Sequence, residues 1–255
     1  MVLNLLLGFA VPIALACWMV RKYQAKWSTI LIGAATFFVF ALILEAIVHR
    51  LVLKGSFGET IQGNTWYLAL YGGLMAGLFE ETGRFLSMKY LLKKEPSTVL
   101  PGLAYGVGHG GAEMMIIFGL SMISYLAIAV MANAGQMDTL LSQTPAEARD
   151  QVNASVTAIT EASPGTLMLG LWERVSALIL HLSLSVLVWT AVRRGGKWLW
   201  LFPAAILLHA LVDGVAVLLK DNVNMAALEL LVFAMSLAIA ALAYMVAKKY
   251  TTNPD

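Results

Sequence analysis

Seven stretches of this chain are apolar for long enough to cross a lipid bilayer as helices: residues 2–20, 28–49, 66–90, 98–120 (apolar on to 132), 166–192, 198–219 and 225–247. A helix needs about 20 mainly apolar residues to span the hydrocarbon layer. Lipid cannot satisfy exposed backbone amides, so a spanning segment is either a helix or part of a closed barrel. These runs are too long and too evenly apolar for barrel strands. Composition agrees, with 60 % of the 255 residues hydrophobic and 13 % charged, where soluble domains carry about 45–50 % and about 25 %. A water-soluble globule and a disordered chain are both excluded. The expected fold is all-α, a polytopic transmembrane helical bundle of seven spans, or eight if 98–132 divides. Residues 1–255 then form a single integral membrane domain, multi-pass in the plasma (cell) membrane, with the lipid bilayer as its main partner and no nucleic acid. The single cysteine, Cys17, excludes an internal disulfide framework.

Basic residues orient the bundle, because they collect in cytoplasmic connections. With the N-terminus outside, Arg21, Lys22, Lys26, Lys89, Lys93, Lys94, Arg193, Arg194, Lys197, Lys248 and Lys249 fall on the cytoplasmic side, 11 residues against Arg50, Lys54, Arg149 and Lys220 outside. The C-terminus is then cytoplasmic. In the first span the basic residues follow the apolar run, the reverse of a cleaved leader, so it reads as a retained helix. The one long connection, 134–165, is expected outside. There Thr144-Pro145-Ala146-Glu147 reads as the start of a short amphipathic helix, with Thr144 as N-cap, and Val152, Val156 and Ile159 form its apolar stripe. It serves as a surface-lying connector or as a lid over a substrate opening.

Several ionisable side chains stand inside these apolar runs: Glu80, Glu81 and Arg84 in the third, Tyr105, His109 and Glu113 in the fourth, Glu173, Arg174 and His181 in the fifth, and His209 and Asp213 in the sixth. Each ionised group near mid-bilayer costs about 2.5–3.5 kcal/mol. Glu80, Glu81, Arg84, Glu113 and Asp213 together cost on the order of 15 kcal/mol, comparable to the whole stability of an ordinary domain. They must face one another or a wet cavity. Helical spacing permits it: Arg84 lies three and four residues from the two glutamates, Tyr105, His109 and Glu113 fall at i, i+4 and i+8, and His209 and Asp213 at i and i+4. Converged, these stripes would hold carboxylates, imidazoles and a guanidinium in one cavity, an inventory suited to activating water. His181 would join that cluster or cap it from behind. Glu173 and Arg174 read as an interfacial pair, and Glu45, His49 and Arg50 as groups reaching headgroups or water.

The doubled glutamate with a cation on one helix (Glu80, Glu81, Arg84), the aromatic four residues before a histidine (Tyr105, His109) and His209 with Asp213 resemble the three motifs of the CAAX-protease and bacteriocin-processing superfamily, which includes the PrsW-type proteases. The form Glu-Glu-Thr-Gly-Arg followed by Gly-His-Gly-Gly-Ala-Glu is most similar to the YhfC-type intramembrane metalloproteases. That resemblance implies an intramembrane endopeptidase acting on a peptide or membrane-protein substrate. Glu80 would activate water with help from His109, His209 and Asp213 would bind or polarise the scissile carbonyl, and Glu81 and Arg84 would hold the geometry. Glu113, His181 and Tyr105 would support the site. The arginine stands one residue nearer the glutamates than in CAAX proteases, and Asp213 replaces their asparagine; that spacing is nearer the PrsW pattern, while His109 follows the CAAX pattern. If a metal is bound, the expectation is zinc on His109, His209 and Glu81; without a His-Glu-x-x-His helix, the side chains lean toward metal-independent water activation. Two other functions use the same residues: a proton- or metal-coupled transporter, and a non-catalytic scaffold or immunity-like protein.

The orientation is checked by single cysteines placed in a Cys17→Ala background. An impermeant thiol reagent applied to intact cells should label Ser56→Cys and Asn222→Cys and leave Gln24→Cys untouched; the opposite pattern would invert the topology.

Overall fold

The computed structural model describes residues 1–252, and among these there is no β-strand. The helices are α1 (Val2–Tyr23), α2 (Trp27–Leu53), α3 (Gly58–Gln62), α4 (Thr65–Leu86), α5 (Leu100–Asn133), α6 (Met137–Gln143), α7 (Arg149–Thr160), α8 (Pro164–Arg194), α9 (Leu201–Leu219) and α10 (Met225–Thr252). Six of them (α1, α2, α5, α8, α9 and α10) are long and apolar enough to cross a membrane. The third expected span is also a helix of 22 residues, α4, but Glu80, Glu81 and Arg84 lower its apolar character. Residues 98–132 are not divided by a loop: α5 runs through them with a wide π-helical segment at Met114–Gly119. A similar segment, Phe38–Glu45, lies within α2.

The ends of the helices follow local chemistry. Asn64 accepts hydrogen bonds from the backbone N–H groups of Trp66 and Tyr67 at 2.9 and 3.2 Å, capping α4. Ser163 caps α8 by accepting from Thr166 N–H at 3.1 Å, with Pro164 at the first helical position. Pro145 precedes a 3-10 turn, Ala146–Ala148, that leads into α7. The side chain of Glu147 lies outside the described residues. Ile159 is buried, and α7 packs on the last turns of α5.

α8 is the axis of the bundle. Of its most apolar window 72 % is buried, against 28 % or less in the other five. α5 and α10 pack along it, α2 lies on the first half of α5, and α4 pairs with α9. The outer surface is the reverse of a soluble protein's: Leu31, Leu70, Leu207 and Leu230 are exposed, as a face bathed in acyl chains requires. Trp27, Trp66 and Trp200 stand exposed at helix starts, where indole rings favour the membrane interface.

Two helix pairs touch backbone to backbone. A Cβ on Gly108 would lie 1.8 Å from the Ile30 carbonyl oxygen, and one on Gly33 2.2 Å from that of Tyr105, so α2 and α5 meet through glycine. Between α4 and α9, a Cβ on Gly73 would lie 2.3 Å from the Ala210 oxygen and one on Gly77 2.5 Å from the Ile206 oxygen. Gly73 and Gly77 form the small-xxx-small spacing that brings membrane helices close. Gly108→Ala should therefore destabilise the protein by about 1–3 kcal/mol through overpacking, read as a lower melting midpoint in detergent. Gly72→Ala, whose added methyl meets nothing within 4 Å, should leave that midpoint unchanged.

Candidate active site

The ionisable residues of α4, α5, α8 and α9 converge. On α4, Glu81 receives Arg84 Nη1 on both oxygens, at 2.6 and 2.7 Å, and its Oε1 lies 2.9 Å from His209 Nδ1 on α9. Glu80 Oε2 lies 2.8 Å from His109 Nε2 on α5 and 3.9 Å from His181 Nδ1 on α8. Arg84 Nη2 donates to His181 Nδ1 at 3.0 Å, while His181 Nε2 meets Glu113. The three imidazoles stand in a row, with ring centroids 4.9 Å apart for His109 and His181 and 5.3 Å for His181 and His209. Tyr105 stacks on His109 at 6.0 Å. Arg84, Glu81 and His109 are fully buried.

Hydrogen bonding assigns the protons. Since an arginine N–H can only donate, His181 Nδ1 accepts from Arg84 and its Nε2–H donates to Glu113. His209 Nδ1–H donates to Glu81, which leaves His209 Nε2 directed to Asp213 Oδ2, 3.5 Å away. Glu113 also receives Arg174 Nη1 at 2.8 Å, and Arg174 Nη2 holds Glu173.

A cavity of about 630 Å³ opens onto this cluster and divides it into two rows. Glu80, Glu113, His181, His209 and Asp213 line it; Glu81, Arg84 and His109 stand behind the lining. Glu80 and Glu81 are neighbours in sequence, and adjacent residues on a helix point about 100° apart, so only one of them can face the cavity. The ligand atoms of Glu80, His181 and His209 lie within 4.8 Å of one another, close enough to hold one metal ion. The set anticipated above, His109, His209 and Glu81, shares only His209 with this trio.

Residues 7–232 match the sequence profile described as YhfC intramembrane metalloprotease. The chain belongs to the YhfC intramembrane metalloprotease family. It is also 40 % identical over 234 residues to the Uncharacterized membrane protein YhfC of Bacillus subtilis (strain 168), an alignment covering 89 % of this chain and 87 % of that one. No solved structure matches it significantly. Like that relative, whose name places it in a membrane, this YhfC family member is a multi-pass membrane protein: its helices, its lipid-facing leucines and its buried charges agree.

Three residues differ from their sequence reading or were missed by it. Glu45, expected at headgroups or water, is buried, with its Oε1 3.1 Å from His49 Nε2, and His49 Nδ1 lies 2.9 Å from the Tyr71 hydroxyl. α2 continues to Leu53, so Glu45 lies two turns below the helix end. Glu229 and Ser236 on α10 also line the cavity; Glu229 is an ionisable residue in an apolar run, the same signal that singled out Glu80.

Among the described residues, Arg84 is the only permanent cation bonded to Glu81. Arg84→Met should cost about 3–5 kcal/mol, the usual effect of leaving one partner of a buried pair unmatched. A Glu81→Gln/Arg84→Met double variant should recover part of it, both read by thermal unfolding in detergent. A double variant no better than the single one would show that Arg84 acts by packing alone.

Proposed function

We propose that this YhfC family member is an intramembrane metallopeptidase that hydrolyses peptide bonds of a peptide or membrane-protein substrate, with Glu80, His181 and His209 as its metal ligands. The observation that carries this reading is the pairing of each cavity-facing histidine with a carboxylate through its other nitrogen: His181 with Glu113 and His209 with Glu81. Metal-ligating histidines almost always make such a second bond, which orients the ring and raises its basicity. Two imidazoles and one carboxylate, open on one side to a cavity, fit the donor set of a hydrolytic zinc site. The family name and this donor chemistry move the balance from metal-free activation toward a bound metal. A zinc ion held there would supply Lewis acidity and lower the pKa of a bound water.

The remaining steps belong to the side chains. Asp213 and Glu113 are the other carboxyls of this cluster on the cavity wall. Asp213, beside His209, is the group we assign to take the proton from the attacking water and return it to the leaving amine. Glu81 holds His209 through Nδ1, Glu113 holds His181 through Nε2, and His109 fixes Glu80. Arg84 Nη2 donates to His181 Nδ1 and would have to release that nitrogen for it to hold a metal.

Metal content and peptide cleavage should be measured on one purified, detergent-solubilised sample. Wild-type protein should carry about one zinc per chain, and His181→Ala and His209→Ala far less. Glu80→Gln and Asp213→Asn should each lower cleavage by at least about 10²-fold while melting normally. Full cleavage by Glu80→Gln, or equal metal content in all variants, would overturn the assignment.

A further inference from the structure

The far wall of the cavity, on α10, carries two polar groups that the hydrolytic cluster does not use. Glu229 is 5 % exposed and Ser236 0 %, and both line the cavity. Glu229 Oε2 and Ser236 Oγ find no hydrogen-bond partner among the described residues. The cation within electrostatic reach of Glu229, Arg174, is already held by Glu113 and Glu173. A buried polar group without a partner costs about 1–3 kcal/mol, and these two share one helix face and both border the cavity, where a bound group can meet them.

Their positions define what that is. Glu229 and Ser236 are seven residues apart, two turns on the same face, or about 10.5 Å along the axis. α9 ends at Leu219 and α10 begins at Met225, joined by a short connection. From that end, His209 is about 15 Å deep and Ser236 about 16 Å, while Glu229 is about 6 Å deep. Ser236 therefore stands level with His209, and Glu229 stands nearer the α9–α10 connection, where Lys220 and Met225 line the cavity. An extended chain rises about 3.3 Å per residue, so the two groups are separated by about three substrate residues. The charge of the cavity selects the substrate's sign: five carboxyls line it, against two permanent cations, Arg174 and Lys220.

We infer that Glu229 and Ser236 form a substrate subsite: Glu229 accepts a lysine or arginine side chain about three residues, toward the α9–α10 connection, from the bond presented to Glu80, His181 and His209, and Ser236 hydrogen-bonds the backbone beside that bond. The position of the bond rests on the peptidase reading; the cation preference does not. It extends recognition from the hydrolytic helices to α10, which contributes no residue to the hydrolytic cluster.

The test separates binding from cleavage. The full chain carrying Glu80→Gln is reconstituted in nanodiscs, and labelled apolar peptides of bilayer-spanning length, identical except for one lysine or glutamine near the outer end, are titrated against it. The lysine peptide should bind about tenfold more tightly, the value of one charge-assisted hydrogen bond. Adding Glu229→Gln, an isosteric change, should erase that difference, and adding Glu229→Asp should retain most of it. Adding Ser236→Ala should weaken both peptides equally. Equal binding of the two peptides with Glu229 intact, or a lysine preference that survives Glu229→Gln, would overturn the proposal. A lysine preference in a chain that cleaves neither peptide once Glu80 is restored would uphold the subsite and remove the peptidase reading.

Discussion

A guanidinium, several carboxyls and a row of imidazoles occupy the interior of a helical bundle whose outer face is apolar, where surrounding acyl chains cannot solvate them. In that setting a polar group is answered by another protein group or faces the cavity, and Arg84 is where several of the protein's answers meet. One of its nitrogens closes on both oxygens of Glu81, and the other reaches His181 on a different helix. Through Glu81 it also determines which way His209 faces. The cost of burying these charges is thus offset by a network that joins α4, α8 and α9, and the network ties the bundle together at the depth where the chemistry would occur. Stability and geometry come from the same contacts.

The two-row arrangement explains why so many ionisable residues are present. A hydrolytic centre needs a few groups in contact with substrate, but in a low-dielectric interior each must be oriented and its charge balanced by others. Glu81, Arg84 and His109 perform that service from behind the cavity lining; Glu80, His181, His209 and Asp213 present themselves to it. Glu80 and Glu81, consecutive on α4, fall in different rows because the helix turns between them.

Much of this was legible in the sequence, and what was not has physical causes. The helical class follows from the length of the apolar runs, and the buried cluster from the cost of ionisable groups inside them. Which glutamate faces the cavity does not follow, since that depends on how α4 is rotated against α9. His181 has no ionisable neighbour three or four residues away on its span to mark its role; its partners, Glu113 and Arg84, come from other helices. Glu45 was placed by its nearness to the end of an apolar run, but α2 outlasts that run by a turn and carries the residue inward. Glu229 went unremarked for a simpler reason: it lies one turn from the start of its span, where a single carboxyl passes for an interfacial one.

The approach of α4 to α9 through Gly73 and Gly77 has a bearing on how the centre can vary. Where helices meet through leucines, a substitution is absorbed by a soft layer of rotamers. Here the main chains themselves are in contact, one turn from Glu81 on one side and beside His209 on the other. The separation of those two residues is consequently a backbone dimension, metered by the radius of a carbonyl oxygen, and the pair behaves as one casting with no gasket between its halves.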